Sequence, residues 1–365
     1  MNIGIAPIKI ALIGCGAVAE QYYAPALKEI ERLELGELVT IFDVDHKRLD
    51  TIATLFPKAS CSQDLSSVIK NNISLAIIAS PVEYHAQQAI ALLASGVNVL
   101  CEKPIAATTP ETESMIKVAK ENNTLLAVGL FRRYLPVALT IKQLITDKTF
   151  GDVKSFYLCE GMKFDWPIKS PFIAKDKKSH SGVLFDLGVH LVDLMVWWFG
   201  EPTEITYEDD NLGGIELNAR LHAVFKDGAK GEIRLSWDWP LKNGSIIECE
   251  KGWIKINNWN DGVLECGFSG SSFGLEGIVR EKKFSYGRFG LGNKGFTYNQ
   301  SFIFQLISVI NAVRGESSMI IPAEESIKSL RVMERCYKCR TLMSMPWLSE
   351  KEQIEATRIF QKEKK

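Results

Sequence analysis

Asp186, His190 and Asp193 stand at i, i+4 and i+7, a spacing that places all three on one stripe of an α-helix. Their neighbours Leu184, Leu187, Val189, Val192 and Leu194 are apolar, so the stripe belongs to an otherwise buried helix, where an unpartnered charge is costly. A histidine among carboxylates suits proton transfer, because its ordinary pKa, about 6.5, lies close to neutral pH. The same trio also permits a packed histidine neutralised by its own helix, or a metal site. Only five histidines occur and no second ligand cluster accompanies them, so no metal is expected.

A second group is Gly14-Cys15-Gly16-Ala17-Val18-Ala19, between an apolar run and a helical pattern. In such a GxGxxA turn the first glycine allows the tight bend. The second lets the backbone approach a pyrophosphate, and the small third residue lets helix pack on strand. The helix N-terminus then favours the phosphates. Asp43 ends the next apolar run, where a carboxylate would accept hydrogen bonds from adenosine ribose hydroxyls and repel a 2′-phosphate. That favours NAD over NADP, although Lys47 and Arg48 follow closely. Glu102-Lys103-Pro104 follows a further run; taken alone, this tripeptide reads more readily as an ordinary solvated turn than as groups pointing into a cofactor crevice.

The elements that must position these groups alternate in the first half. Apolar runs at 9–13, 38–42, 75–79, 97–101 and 125–129 read as strands, with helical patterns between them. This rhythm implies a doubly wound parallel sheet of the Rossmann type. After about residue 150 the pattern changes to longer alternating strands at 153–160, 215–225 and 230–239, with Lys226-Asp227-Gly228 as a turn. Helical patterns return at 299–313 and 323–343. The expected organisation is α/β: a dinucleotide domain over 1–135, an α+β domain with a mostly antiparallel sheet over 136–349, and a charged tail over 350–365. Trp237 and Trp239 share one face of an alternating strand and read as sheet-packing residues.

Charge excludes some partners. The chain of 365 residues carries 43 Lys+Arg against 44 Asp+Glu, a net charge of −1, with no run of like charge to attract nucleic acid or an anionic membrane. Eight cysteines are scattered, apart from the Cys336-x-x-Cys339 pair. They read as thiols of a reducing compartment rather than a disulfide framework. The apolar stretch 182–200 contains Asp186, His190 and Asp193, too many ionisable groups for an ordinary membrane span. Residues 1–9 lack the features of an export signal, so a cytoplasmic location is expected.

In order along nearly the whole chain, these motifs resemble the glucose–fructose oxidoreductase / inositol dehydrogenase (Gfo/Idh/MocA) family. They are Gly14–Ala19, Asp43, Ala79-Ser80-Pro81 with His85, Glu102-Lys103-Pro104, Arg132-Arg133-Tyr134-Leu135-Pro136, and Gly182 leading the Asp186–Asp193 helix. The resemblance implies an NAD(P)-dependent dehydrogenase of a sugar, nucleotide sugar or cyclitol. Its second domain would carry an open-faced sheet that builds the substrate site, and the chain would form a homo-oligomer, a dimer or tetramer. Lys103, Asp186 and His190 match the family's catalytic positions; Ser80, Pro81, His85 and Glu102 match positions that line the cofactor. His190 would take the carbinol proton, Lys103 would stabilise the developing alkoxide, and Asp186 would bind a neighbouring hydroxyl or position the other two.

The chain departs from the family in having Ser181-Gly182 where two or three glycines are usual, and in its 162–180 loop. Within that loop Lys163 and Trp166 are candidate substrate contacts, as is Asp193 on the helix, while Lys175 and Lys177 leave an anionic substrate open. Two other readings compete: an NAD-dependent glycosidase of the same fold, which would produce no net NADH, and a non-catalytic NAD-binding regulator.

Overall fold

The computed structural model describes residues 6–164, 182–257, 259, 262–271, 273–278, 298–316, 321–346 and 348–363. The chain divides into two compact units. The first takes residues 6–134 together with residues 298–316, which include the helix Tyr298–Val313, and residues 321–327; the second takes the remaining described residues. The first unit is therefore discontinuous in sequence, where the sequence reading drew one boundary near residue 135.

The first unit is built on a six-stranded sheet in the order β3-β2-β1-β4-β5-β6. The strands are β1 (Ile8–Ile13), β2 (Gly36–Phe42), β3 (Ser60–Ser62), β4 (Leu75–Ile78), β5 (Asn98–Glu102) and β6 (Leu126–Gly129). Every pairing is parallel. Ile10, Ala11, Leu12 and Ile13 are all fully buried, as expected of a strand covered on both faces, which reads as a continuous apolar run rather than an alternation. Short β3 has no such run, and the sequence reading missed it. Register levels the carboxyl ends: Ile13 pairs with Phe42 and Ile78, Ile78 with Cys101, and Cys101 with Val128. Gly14, Asp43, Ala79 and Glu102 thus follow one edge of the sheet. Strand order reverses between β1 and β4, which opens the crevice where doubly wound sheets take their ligands.

The helix Tyr298–Val313 closes this unit by burying Phe302, Leu306 and Ile310. The Phe302 ring stacks on Tyr22 at 4.8 Å and on Phe131 at 5.0 Å, and meets the Tyr23 edge at 5.1 Å. Such aromatic pairs contribute about 0.5–1.5 kcal/mol each beyond their buried area.

The second unit holds a nine-stranded sheet in the order β14-β13-β12-β11-β7-β10-β9-β8-β15. The strands are β7 (Val153–Gly161), β8 (Glu204–Asp209), β9 (Asn218–Val224), β10 (Lys230–Ser236), β11 (Gly244–Cys249), β12 (Gly252–Ile256), β13 (Val263–Phe268), β14 (Gly274–Ile278) and β15 (Thr341–Leu342). It is antiparallel except for the pairs β7·β10 and β8·β15. In β9, Ala219, Leu221 and Ala223 are buried while His222 and Val224 are exposed, the alternation of a sheet wet on one face. The buried face packs on the helix Val189–Phe199, with Phe156 stacked on Phe199 at 4.7 Å. The charged segment after Ser349 forms a helix over Glu350–Glu363.

The two tryptophans read as sheet packing lie beyond the end of β10, and only one of them packs. The Ser236 hydroxyl oxygen accepts from the Trp239 N–H at 2.9 Å, turning the chain out of the strand. Trp237 stays buried against Phe164, ring centres 4.9 Å apart, whereas Trp239 is 68% exposed.

Candidate active site

In the first unit the β1–helix loop has the geometry that its glycines foreshadow. Gly14 has φ +93°, a conformation that glycine adopts without steric cost. A Cβ there would lie 2.6 Å from Ser80 N and 2.8 Å from the Ala79 carbonyl. Gly16 has nothing within 4 Å of a Cβ position, so the backbone faces open space at the start of the helical turn that begins with Ala17 and Val18. Backbone N–H groups, a helix N-terminus and a bare glycine together suit the pyrophosphate of a dinucleotide.

Asp43 is 5% exposed. Its Oδ2 accepts from Cys15 N–H at 2.7 Å and its Oδ1 from Asp45 N–H at 2.9 Å. The carboxylate therefore pins the glycine loop to the end of β2. A carboxylate offers about four acceptor sites, so these two bonds leave capacity for ribose hydroxyls. Asp45 in turn caps the helix His46–Leu55 by accepting from Lys47 N–H at 2.9 Å. Burial pushes the Cys15 thiol far up, with the Asp43 charge adding to the rise, so Cys15 serves as an inert packing residue.

Ser80 and Pro81 are half-buried at the start of the helix Val82–Ala94, and Ser80 Oγ donates to Gln88 Oε1 at 2.6 Å. His85 is buried. Its ring nitrogens lie 2.9 Å from the Pro104 carbonyl and 2.7 Å from the Ser80 carbonyl, so it ties the turn after β4 to the turn after β5. Burial pulls its pKa down, overriding the two carbonyl contacts that would raise it.

Glu102 is likewise buried. Its Oε1 accepts from the Tyr23 hydroxyl at 2.6 Å and its Oε2 from Lys103 N–H at 3.0 Å, while Gln305 Nε2 donates to the Tyr23 oxygen at 3.1 Å. A Cβ on Gly129 would stand 2.6 Å from Glu102 Oε1, so the bare end of β6 leaves the carboxylate its place. Lys103 is half-buried just beyond it. Tyr23 and Gln305 escaped the sequence reading. No motif marks either, and 282 residues separate the two partners.

In the second unit the helix bearing the acidic–histidine stripe begins at Val183, passes through a π-helical turn at Leu184–Gly188, and continues as Val189–Phe199. The wider turn breaks the 3.6-residue stripe that the spacing predicts. Asp186 is exposed, while His190 and Asp193 are buried. A second π-helical turn, Ala19–Tyr23, follows the glycine loop. Such turns occur frequently at functional sites. Gly188 lets the helix lie on the sheet, for a Cβ there would meet Leu235 Cδ1 at 2.6 Å. Lys163 is exposed after β7. Trp166, Lys175 and Lys177 lie outside the described residues. No helix among the described residues is long and apolar enough to cross a membrane.

Comparison with known proteins agrees with this construction. Residues 8–130 match the "Oxidoreductase family, NAD-binding Rossmann fold", and residues 138–255 match the "GFO/IDH/MocA C-terminal domain". The chain is 31% identical over 286 residues to a glucose-6-phosphate 3-dehydrogenase of Bacillus subtilis, covering 76% of this chain and 74% of that one. It is 24% identical over 347 residues to an NADP(+)-dependent scyllo-inositol 2-dehydrogenase of the same organism, covering 90% and 92%. Among solved structures, a levoglucosan dehydrogenase in complex with NADH and levoglucosan shares the fold with TM-score 0.80 at 19% identity, covering 91% of this chain and 97% of that one. The WlbA dehydrogenase of Bordetella pertussis, in complex with NADH and UDP-GlcNAcA, has TM-score 0.77 at 20% identity, covering 92% and 96%. The chain belongs to the Gfo/Idh/MocA family of NAD(P)-binding oxidoreductases.

Proposed function

We propose that the protein is an NAD-dependent dehydrogenase acting on a carbinol carbon of a sugar, nucleotide sugar or cyclitol. The observation that carries this reading is the glycine loop: Gly14 folded against Ser80, Gly16 open to space, and Cys15 N–H tied to Asp43. Gly14–Val18 would hold the pyrophosphate, and Asp43 the adenosine ribose. Ser80, Pro81 and Glu102 would border the nicotinamide half, with His85 fixing the turns that carry them. The nicotinamide, when bound, supplies the hydride chemistry.

The chain's own residues handle the proton and the substrate. His190 takes the proton of the reacting hydroxyl in oxidation and returns it in reduction. Lys103, a cation at the end of β5, favours negative charge on that oxygen. Exposed Asp186 binds a neighbouring hydroxyl, and Lys163 and Trp166 are further substrate contacts. Among relatives, names that specify glucose 6-phosphate and scyllo-inositol support a polyhydroxylated substrate. The test is spectrophotometry of the purified chain with NAD or NADP and a panel of sugars, sugar phosphates, nucleotide sugars and cyclitols. Sustained NADH growth with one of them is the expected result. Tight NAD binding without turnover on any would overturn the reading in favour of a regulator.

A further inference from the structure

Glu216 lies between β8 and β9 and is 3% exposed. Its backbone carbonyl accepts from Val183 N–H at 3.0 Å, and its Oε1 accepts from Leu184 N–H at 3.2 Å. These are the first two residues of the helix that carries Asp186 and His190. A helix start leaves N–H groups without intrahelical acceptors, and the side chain of the N-cap residue ordinarily satisfies one of them.

Here the cap position is Gly182, whose carbonyl accepts from Phe185 and Asp186 N–H, each at 3.1 Å. Gly182 has no side chain to offer, and a Cβ built on it would overlap the Glu216 carboxyl. The space left by the missing side chain is thus filled by a carboxyl from elsewhere in the unit. The Tyr337 hydroxyl fixes that carboxyl, donating to the same Oε1 at 2.8 Å. The π-helical turn that contains Asp186 follows at once.

We propose that Glu216 is a positioning residue: it caps the helix start in place of Gly182 and so sets the orientation of Asp186 and His190. This rests on the reading of that helix as the one that handles the substrate. The groups around Glu216 show why its hold should depend on pH. Burial pushes its carboxyl up to about 7, Asp209 adds to the rise, and the bonds from Tyr337 and Leu184 oppose it. Asp209 is itself paired with Arg340 at 2.7 Å. Tyr207, Tyr337 and Cys336, the other titratable groups here, are all raised by burial and keep their protons near neutrality. With its carboxyl pushed up to about 7, Glu216 changes charge near neutrality. Ionising it inside the fold carries the burial cost that raised its pKa, so its hold on the helix start weakens as pH rises through that value.

The test compares wild type with Glu216→Gln, Glu216→Ala and Gly182→Ala. The readouts are amide hydrogen exchange of residues 183–190, kcat, and NADH affinity by fluorescence. Glu216→Ala and Gly182→Ala should speed exchange in that segment by about tenfold, the size of a lost N-cap bond, and lower kcat with NADH affinity unchanged. Glu216→Gln should match wild type at pH 6, where the wild-type carboxyl keeps its proton, and be better protected than wild type at pH 8. Should Glu216→Ala fail to fold, the Gln and Gly182→Ala variants decide. Exchange and kcat unaltered in all variants would overturn the proposal, as would a pH-independent difference spread over the whole unit. A wild-type chain without turnover on any substrate would sink the dehydrogenase reading instead, and the exchange comparison would still decide whether Glu216 holds the helix.

Discussion

The main-chain N–H of Cys15 donates to Oδ2 of Asp43 across 2.7 Å, and both residues are buried. The carboxylate expected to read the cofactor's ribose is thereby also the clamp on the phosphate loop. Asp43→Ala should cost about 1–3 kcal/mol of stability by leaving the Cys15 amide without its acceptor. It should also lower the ratio of NAD to NADP affinity by about tenfold through loss of the charge. Asp43→Asn should lose the charge effect on cofactor choice while keeping most of the stability. Denaturant unfolding and cofactor titrations measure the two effects separately.

Tyr23→Phe removes the hydroxyl that Glu102 accepts at 2.6 Å. A hydrogen bond to a charged group is worth about 1.5–3 kcal/mol, and the loss should appear in full in urea melts. Burial and the neighbouring Glu102 raise the Tyr23 pKa well above its ordinary value, so the hydroxyl keeps its proton and the effect should be constant from pH 6 to 9.

Glu216 makes stability depend on pH in a defined direction. Its pKa rises from 4.5 to about 7 on folding, so between those values the folded chain holds a proton that the unfolded chain has released. The stabilisation is complete below the unfolded value and is lost as pH rises through the folded one. Relative to Glu216→Gln, wild type should lose about 3 kcal/mol between pH 4.5 and 7 and change little above that. A flat difference across this window would remove Glu216 from the account.

Phe302 packs among Tyr22, Tyr23 and Phe131. Phe302→Ala should cost about 3–5 kcal/mol, the usual price of emptying a buried aromatic site, and should loosen the first unit before the second in hydrogen exchange.

His190→Ala should lower kcat by about a hundredfold or more, the scale of general acid–base catalysis. NAD affinity should change little, because the glycine loop and Asp43 lie in the other unit.

The parts legible in sequence are those whose physics is local. Gly14 and Gly16 announce a turn because only a bare backbone bends and opens there, and the five longer strands of the first sheet announce themselves by their apolar runs. What escaped depends on distant packing. Nothing near Phe302 or Gln305 shows that the helix Tyr298–Val313 returns to the first unit, since its partners Tyr22, Tyr23 and Phe131 lie far back in the sequence. Asp186 left the predicted stripe because a π-helical turn cannot be read from residue types. Glu216 escaped because the informative residue was Gly182, a glycine whose purpose is the side chain it admits.

Hydride transfer from a carbinol carbon to the nicotinamide is tested most directly with a turned-over substrate that carries deuterium on the reacting carbon, by mass spectrometry of the reduced cofactor. The expected product is NADH heavier by one deuterium, formed in step with the oxidised sugar. Turnover that leaves the cofactor unlabelled, with no oxidised product, would contradict it.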